Sequence, residues 1–200
     1  MRSALGWATD LARDNPGAPG AQIALGDVLV LLNRPADAAT AYRRAADMRF
    51  DEPVMLRLVD ALDKSGQRQE ASRALALYLS QNPISVPALR LAGAWQSAAG
   101  AYDAAIDTLE GLRRRIGGRD AALDIELANA YLGANQAQAA LELAEAGFAL
   151  APGNPAAADA YGWALFQLDD PDSALELLEE AASIAPGHPA IRAHLAAVRA

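Results

Sequence analysis

The sequence predicts an all-α solenoid built from stacked antiparallel helix pairs. Three observations carry that expectation. An alanine recurs at Ala38, Ala71, Ala105, Ala140 and Ala174, at steps of 33, 34, 35 and 34 residues. Alanine supplies 50 of the 200 residues and leucine 28, while Val, Ile and Thr are scarce, which favours helix over strand. Proline or glycine interrupts the helical stretches at the same interval.

The residues around the alanine column explain the pairing. Twelve positions before each alanine stand Gly26, Val59, Gly93, Ala128 and Gly162. A small residue there lets a second helix approach closely. Four positions after it stand Tyr42, Leu75, Leu109, Ala144 and Leu178, mostly large enough to fill the remaining gap. Twelve positions after it stand Phe50, Pro83, Gly117, Pro152 and Pro186, where the second helix ends. The expected units are 19–51, 52–85, 86–120, 121–154 and 155–188. Residues 1–18 read as the second helix of a further unit, because Ala4 lies 34 positions before Ala38. Residues 189–200 read as one amphipathic helix, with Ile191, Leu195 and Val198 on one side. That helix either caps the last pair or begins another. A chain that opens in mid-repeat is expected to be a piece of a longer array.

Composition excludes several functions. Seventeen basic residues against 25 acidic ones leave a net charge of -8, which disfavours general nucleic-acid binding. Residues 116–200 carry three basic and 12 acidic groups, so that part offers partners a negative field. The chain has no cysteine, hence no disulfide or thiolate metal site. His188 and His194 are spaced poorly for one helix face and read as surface or capping residues. Gly117-Gly118 is a lone pair, without the strand–loop–helix setting of a phosphate loop. Asp169-Asp170 and Glu179-Glu180 fall in a turn and on a helix surface, not in a pocket for acid–base work. Arg113-Arg114-Arg115 closes a helix, where cations offset the macrodipole; docking of an acidic partner is the alternative. The expectation is no catalysis, no cofactor and no metal.

The strings Leu25-Gly26, Leu29, Ala38, Tyr42 and Ala45, then Leu127-Ala128, Tyr131, Ala140 and Pro152, then Tyr161-Gly162, Leu165, Ala174, Leu178, Ala181 and Pro186 resemble the tetratricopeptide repeat (TPR) family. Val59, Gln96, Phe50 and Gly117 depart from its pattern. The resemblance implies a right-handed superhelix whose first helices line a concave groove. Projected onto this chain, Asp27, Arg57, Asp60, Lys64, Arg90, Asn129, Asp159, Trp163 and Phe166 face that groove. Arg57 and Arg90 then bind carboxylates of a peptide or pair with aspartates of the array. Trp163 and Phe166 either anchor a ligand or cover the last helix. The carboxylate clamp of some TPR receptors is missing, because Ile23 and Asp27 occupy its places.

A narrower likeness rests on Leu150 to Ala156, Asp159 to Leu165 and Ala185 to Ala196. This part resembles the end of a bacterial TPR lipoprotein family associated with exosortase/PEP-CTERM sorting and exopolysaccharide production. It implies an exported, lipid-anchored parent; otherwise the cytoplasm is the expected compartment. The expected function is a non-catalytic scaffold that holds a protein or peptide partner in the groove, with no nucleic acid and no membrane insertion by this segment. The alternative is a self-assembly module that stacks through its exposed ends.

Overall fold

A computed structural model describes residues 3–200. Among the described residues there are twelve α-helices and no strand. Helix α1 (Ala4–Asp14) comes first. Five pairs follow: α2 (Pro19–Leu31) with α3 (Pro35–Met48), α4 (Glu52–Lys64) with α5 (Arg68–Gln81), α6 (Val86–Ala98) with α7 (Tyr102–Ile116), α8 (Ala121–Gly133) with α9 (Ala137–Leu150), and α10 (Pro155–Gln167) with α11 (Pro171–Ile184). Helix α12 (Pro189–Val198) closes the chain. Two compact units divide it, residues 1–88 and 89–200.

Local chemistry starts the helices. Proline, which lacks the N–H that a first turn leaves unbonded, opens α2, α3, α10, α11 and α12. Ser3, Asp51, Asp120, Asn154 and Asp170 cap their helices by accepting from backbone N–H groups, for example Leu123 N to Asp120 Oδ1 at 3.0 Å.

One backbone device joins the two helices of every pair. Each pair is linked by three residues, and the middle one has positive φ: Asn33 55°, Gly66 79°, Gly100 75°, Asn135 59° and Asp169 64°. The N–H of the next residue then reaches five positions back, as in Arg34 to Leu29 O at 2.9 Å and Gln136 to Tyr131 O at 2.9 Å. This Schellman closure satisfies carbonyls that the helix end leaves free. Only Gly, and less readily Asn or Asp, adopts the left-handed conformation cheaply. Gly66→Val is therefore expected to destabilise by roughly 1–2 kcal/mol, and Asp169→Gly to raise the thermal midpoint slightly. Paired thermal melts check both, and an unchanged Gly66→Val melt would refute the account.

Packing within pairs follows the small-to-large logic. All five column alanines are completely buried, and Tyr42, Leu75, Leu109, Ala144 and Leu178 are buried with them. A Cβ placed on Gly93 would lie 2.5 Å from Leu109 Cδ2, and one on Gly162 would lie 2.9 Å from Leu178 Cγ. The helix axes can approach this closely because hydrogen occupies those positions. Ile191 of α12 is buried against Ala158 and Ala181, so the last helix is packed, not pendant.

Candidate partner-binding surfaces

In the unit of residues 1–88, the first helices α2 and α4 bring four of the expected site residues together. Arg57 on α4 donates from Nε to Asp27 Oδ1 on α2 at 3.1 Å, and from Nη1 to Pro53 O at 3.1 Å. Asp27 also accepts from the Tyr42 hydroxyl at 2.6 Å. One turn along α4, Lys64 pairs with Asp60 at 2.8 Å. These four charged side chains are about half exposed, so their ion pairs contribute little to stability and are exchangeable with a partner's charges.

Tyr42 belongs to the core, yet it fixes this surface. Burial pushes its pKa well above the ordinary tyrosine range, and the hydrogen bond to Asp27 adds to the rise. The folded state thus favours the neutral phenol. Stability from this group is complete below about pH 10, where an unfolded tyrosine ionises, and is lost as pH rises further. Tyr42→Phe is expected to flatten the alkaline fall in stability. Chemical denaturation at a series of alkaline pH values checks this, and parallel curves for both proteins would count against it.

In the unit of residues 89–200, the expected groove residues are largely engaged by their neighbours. Arg90 on α6 donates to Asp120 Oδ2 and to Glu126 Oε1, each at 3.0 Å. Burial lowers the pKa of Arg90, but Glu126 and Asp120 outweigh it and hold the guanidinium charged. Asn129 is exposed on α8, three positions beyond Glu126. Asp159 differs from the expectation of an open groove residue. It is only 8% exposed, and its Oδ1 lies 2.8 Å from Nδ1 of His194 on α12. Trp163 stacks on the same imidazole, with centroids 4.1 Å apart and planes at 12°, while Phe166 lies 5.2 Å from Trp163. Of the two readings left open for this aromatic pair, the geometry therefore favours cover of the last helix for Trp163. His194 is a docking residue between α10 and α12, and His188 is the N-cap residue of α12.

Sequence reasoning missed one group. Asp124 on α8 is completely buried, and Arg113 at the end of α7 donates to its Oδ1 at 2.7 Å. The other carboxylate oxygen has no hydrogen-bond partner. Arg113, in the last turn of α7 and about one-third exposed, is thus engaged by a buried carboxylate, whereas Arg114 lies 3.7 Å from Glu110 on the surface. The signal was present but faint: the repeat column holding Asp124 is apolar at Met55, Leu89 and Ala158 and polar elsewhere only at Gln22.

No group of three or more His, Asp or Glu among the described residues is placed to hold a metal ion. No described helix is long and apolar enough to cross a membrane.

Helix pairs in fixed register, closed by one turn type and packed through one small-to-large column, define a helical-repeat protein. Models of the tetratricopeptide repeat match residues 2–52 and 155–198, and the chain is an all-α TPR solenoid. No curated protein matches the chain. Among solved structures, a chain of the APC/C hetero-tetramer Cut9–Hcn1 is 18% identical, with a TM-score of 0.75 over 97% of this chain and 38% of that one. This chain thus spans well under half of that protein. MamA from Desulfovibrio magneticus RS-1 is 19% identical, with a TM-score of 0.74 over 86% of this chain and 97% of that one. YrrB, described as a TPR protein with an unusual peptide-binding site, is 16% identical, with a TM-score of 0.70 over 95% of this chain and 98% of that one. At these identities the likeness establishes the fold alone.

Proposed function

We propose that this chain is a non-catalytic scaffold that holds a peptide segment or partner domain against the first helices of its repeats. The observation that carries the reading is the exposed row Asp27, Arg57, Asp60 and Lys64 on α2 and α4. These side chains contribute little to packing, and their charges alternate. Preformed helices present them with a lowered ordering cost on the receptor side. Affinity capture from source-cell extracts tests the reading. The baits are the parent chain and the charge-reversed variant Arg57→Glu/Lys64→Glu. A partner held by the parent and lost by the variant supports the scaffold, and identical captures sink it.

A finer reading follows from the resemblance of residues 150–196 to the exosortase/PEP-CTERM-associated lipoproteins. On that reading the parent protein works in envelope or exopolysaccharide assembly. Fractionation of source cells tests it, and a purely cytosolic parent protein would end it. The second reading, self-assembly, is favoured by α1, where Trp7 is 67% exposed and Leu11 45%. It requires a mass that rises with concentration and returns to that of a monomer in Trp7→Ser. A constant monomer mass in light scattering would remove it.

A further inference from the structure

Helices α1 and α3 both pack on α2 and leave a cleft between them. Two cavities occupy it. One, of about 260 Å³, is lined by Leu5, Thr9, Leu25 and Leu29 and, on the α3 side, by the paired Arg34 and Asp37 and by Thr40, Ala41 and Arg44. The other, of about 450 Å³, is lined by Ala12, Arg13, Pro16, Gln22, Arg44, Asp47 and Met48. Arg44 borders both. This cleft uses none of the residues Asp27, Arg57, Asp60 or Lys64.

Two of its polar groups are unmatched. Arg44 is exposed and has no carboxylate partner, whereas its neighbour Arg43 pairs with Glu70. Gln22 is only 4% exposed. Its amide nitrogen reaches the carbonyl of Ala12 at a long 3.5 Å, and its amide oxygen has no partner. Flipping the amide would set oxygen against oxygen at Ala12, so the oxygen remains the unpaired atom. A buried acceptor in that state is destabilising until a donor reaches it.

The repeat itself shows what is missing. Gln22 stands four positions before Gly26, as Asp124 stands four before Ala128. In the later repeat the partner is Arg113, eight positions after Ala105. Eight positions after Ala4 stands Ala12, which supplies only a main-chain carbonyl. The side chain that fills this place in residues 89–200 has no counterpart beside Gln22, and the larger cavity lies there.

We infer that the α1–α3 cleft is a second binding site, for a peptide segment that presents a carboxylate to Arg44, a main-chain N–H to Gln22 and an aliphatic side chain to the Leu5–Leu25–Leu29 recess. Each element answers an unmatched feature. The carboxylate answers the lone guanidinium with a charge-assisted pair. The N–H answers the orphaned amide oxygen. The aliphatic group removes apolar lining from water. Asp47 beside Arg44 selects against segments with two adjacent carboxylates.

The test uses the full chain and a series of short, end-blocked, fluorescein-labelled peptides. Each carries one leucine and one aspartate among glycine and serine, spaced from adjacent to one helical turn apart. A matched series has asparagine for aspartate. Anisotropy is read for the parent, Arg44→Gln and Arg73→Gln, the last removing another exposed arginine without a carboxylate partner, from α5. The Gln22 side-chain amide is followed in ¹⁵N spectra. At least one aspartate peptide should bind saturably and shift the Gln22 amide. Its affinity should fall about tenfold in Arg44→Gln and with asparagine, as expected for loss of one charge-assisted bond, and hold in Arg73→Gln. The proposal is overturned if no aspartate peptide moves the Gln22 amide, or if Arg44→Gln binds as well as the parent while melting at the same temperature.

Discussion

Arg113→Met is expected to unfold the repeats of residues 89–200 far more easily than any surface substitution there. The Asp124 carboxylate is wholly buried and has Arg113 as its one hydrogen-bonding partner, so the variant would leave a charge stranded in the core. Breaking a buried ion pair by removing one member costs roughly 3–5 kcal/mol. Arg113 is about one-third exposed, and solvent screening places the expected loss near the lower bound, about 3 kcal/mol. The partners are not equivalent. Asp124→Leu removes the buried charge and leaves an arginine that can extend to water, so its cost should be small. The double variant Arg113→Met/Asp124→Leu restores the apolar choice made at Met55 and Leu89, and should equal or exceed the parent. Urea unfolding followed by helical circular dichroism orders the four proteins. A parent-like midpoint for Arg113→Met would show that Asp124 is not held as a charge by Arg113.

Much of the fold was legible because packing reuses one residue type at one interval. The column of Ala38, Ala71, Ala105, Ala140 and Ala174 sits between paired helices, where only a methyl group fits, so selection for close approach leaves a visible pattern. The turn column Asn33, Gly66, Gly100, Asn135 and Asp169 has the same period, yet a search by residue identity passes over it. Its common property is tolerance of positive φ, which three different residue types share.

The candidate surfaces were less legible for a related reason. Periodicity says which face a residue occupies but not what it meets. Asp159 falls on the expected first-helix face, and the His194 imidazole, 35 positions later, turns that position inward. Arg57 and Asp27 share that face, and only the structure shows that they hold each other across 30 positions. Gln22 and Asp124 look like ordinary polar residues of amphipathic helices. Their burial follows from a helix that packs on them from outside their own pair.

Gly26→Ala is expected to be the most damaging addition of a single methyl group in residues 1–88. A Cβ at Gly26 would lie far inside contact distance of Cε1 of the Tyr42 ring. That ring is buried, and its hydroxyl is tied to Asp27 on the same helix as Gly26, so it cannot swing aside without losing the bond. Overpacking of this kind costs about 1–3 kcal/mol, against which alanine regains up to about 1 kcal/mol of helix propensity. Gly133→Ala provides the contrast, since a Cβ there would meet the Tyr102 ring just as closely. Tyr102 is only partly buried and opens α7, and no hydrogen bond ties its hydroxyl, so the ring can rotate toward solvent. That variant should melt within a few degrees of the parent. Tyr42→Leu should rescue Gly26→Ala, because Leu75 already serves opposite the bulkier Val59 in the next pair. Rescue would restore packing while leaving Asp27 without the phenol. Partner capture by the rescued protein then separates two roles of Tyr42, filling the gap between α2 and α3 and orienting the Asp27–Arg57 pair. Equal melting of Gly26→Ala and Gly133→Ala would mean that the ring of Tyr42 is as free to move as that of Tyr102.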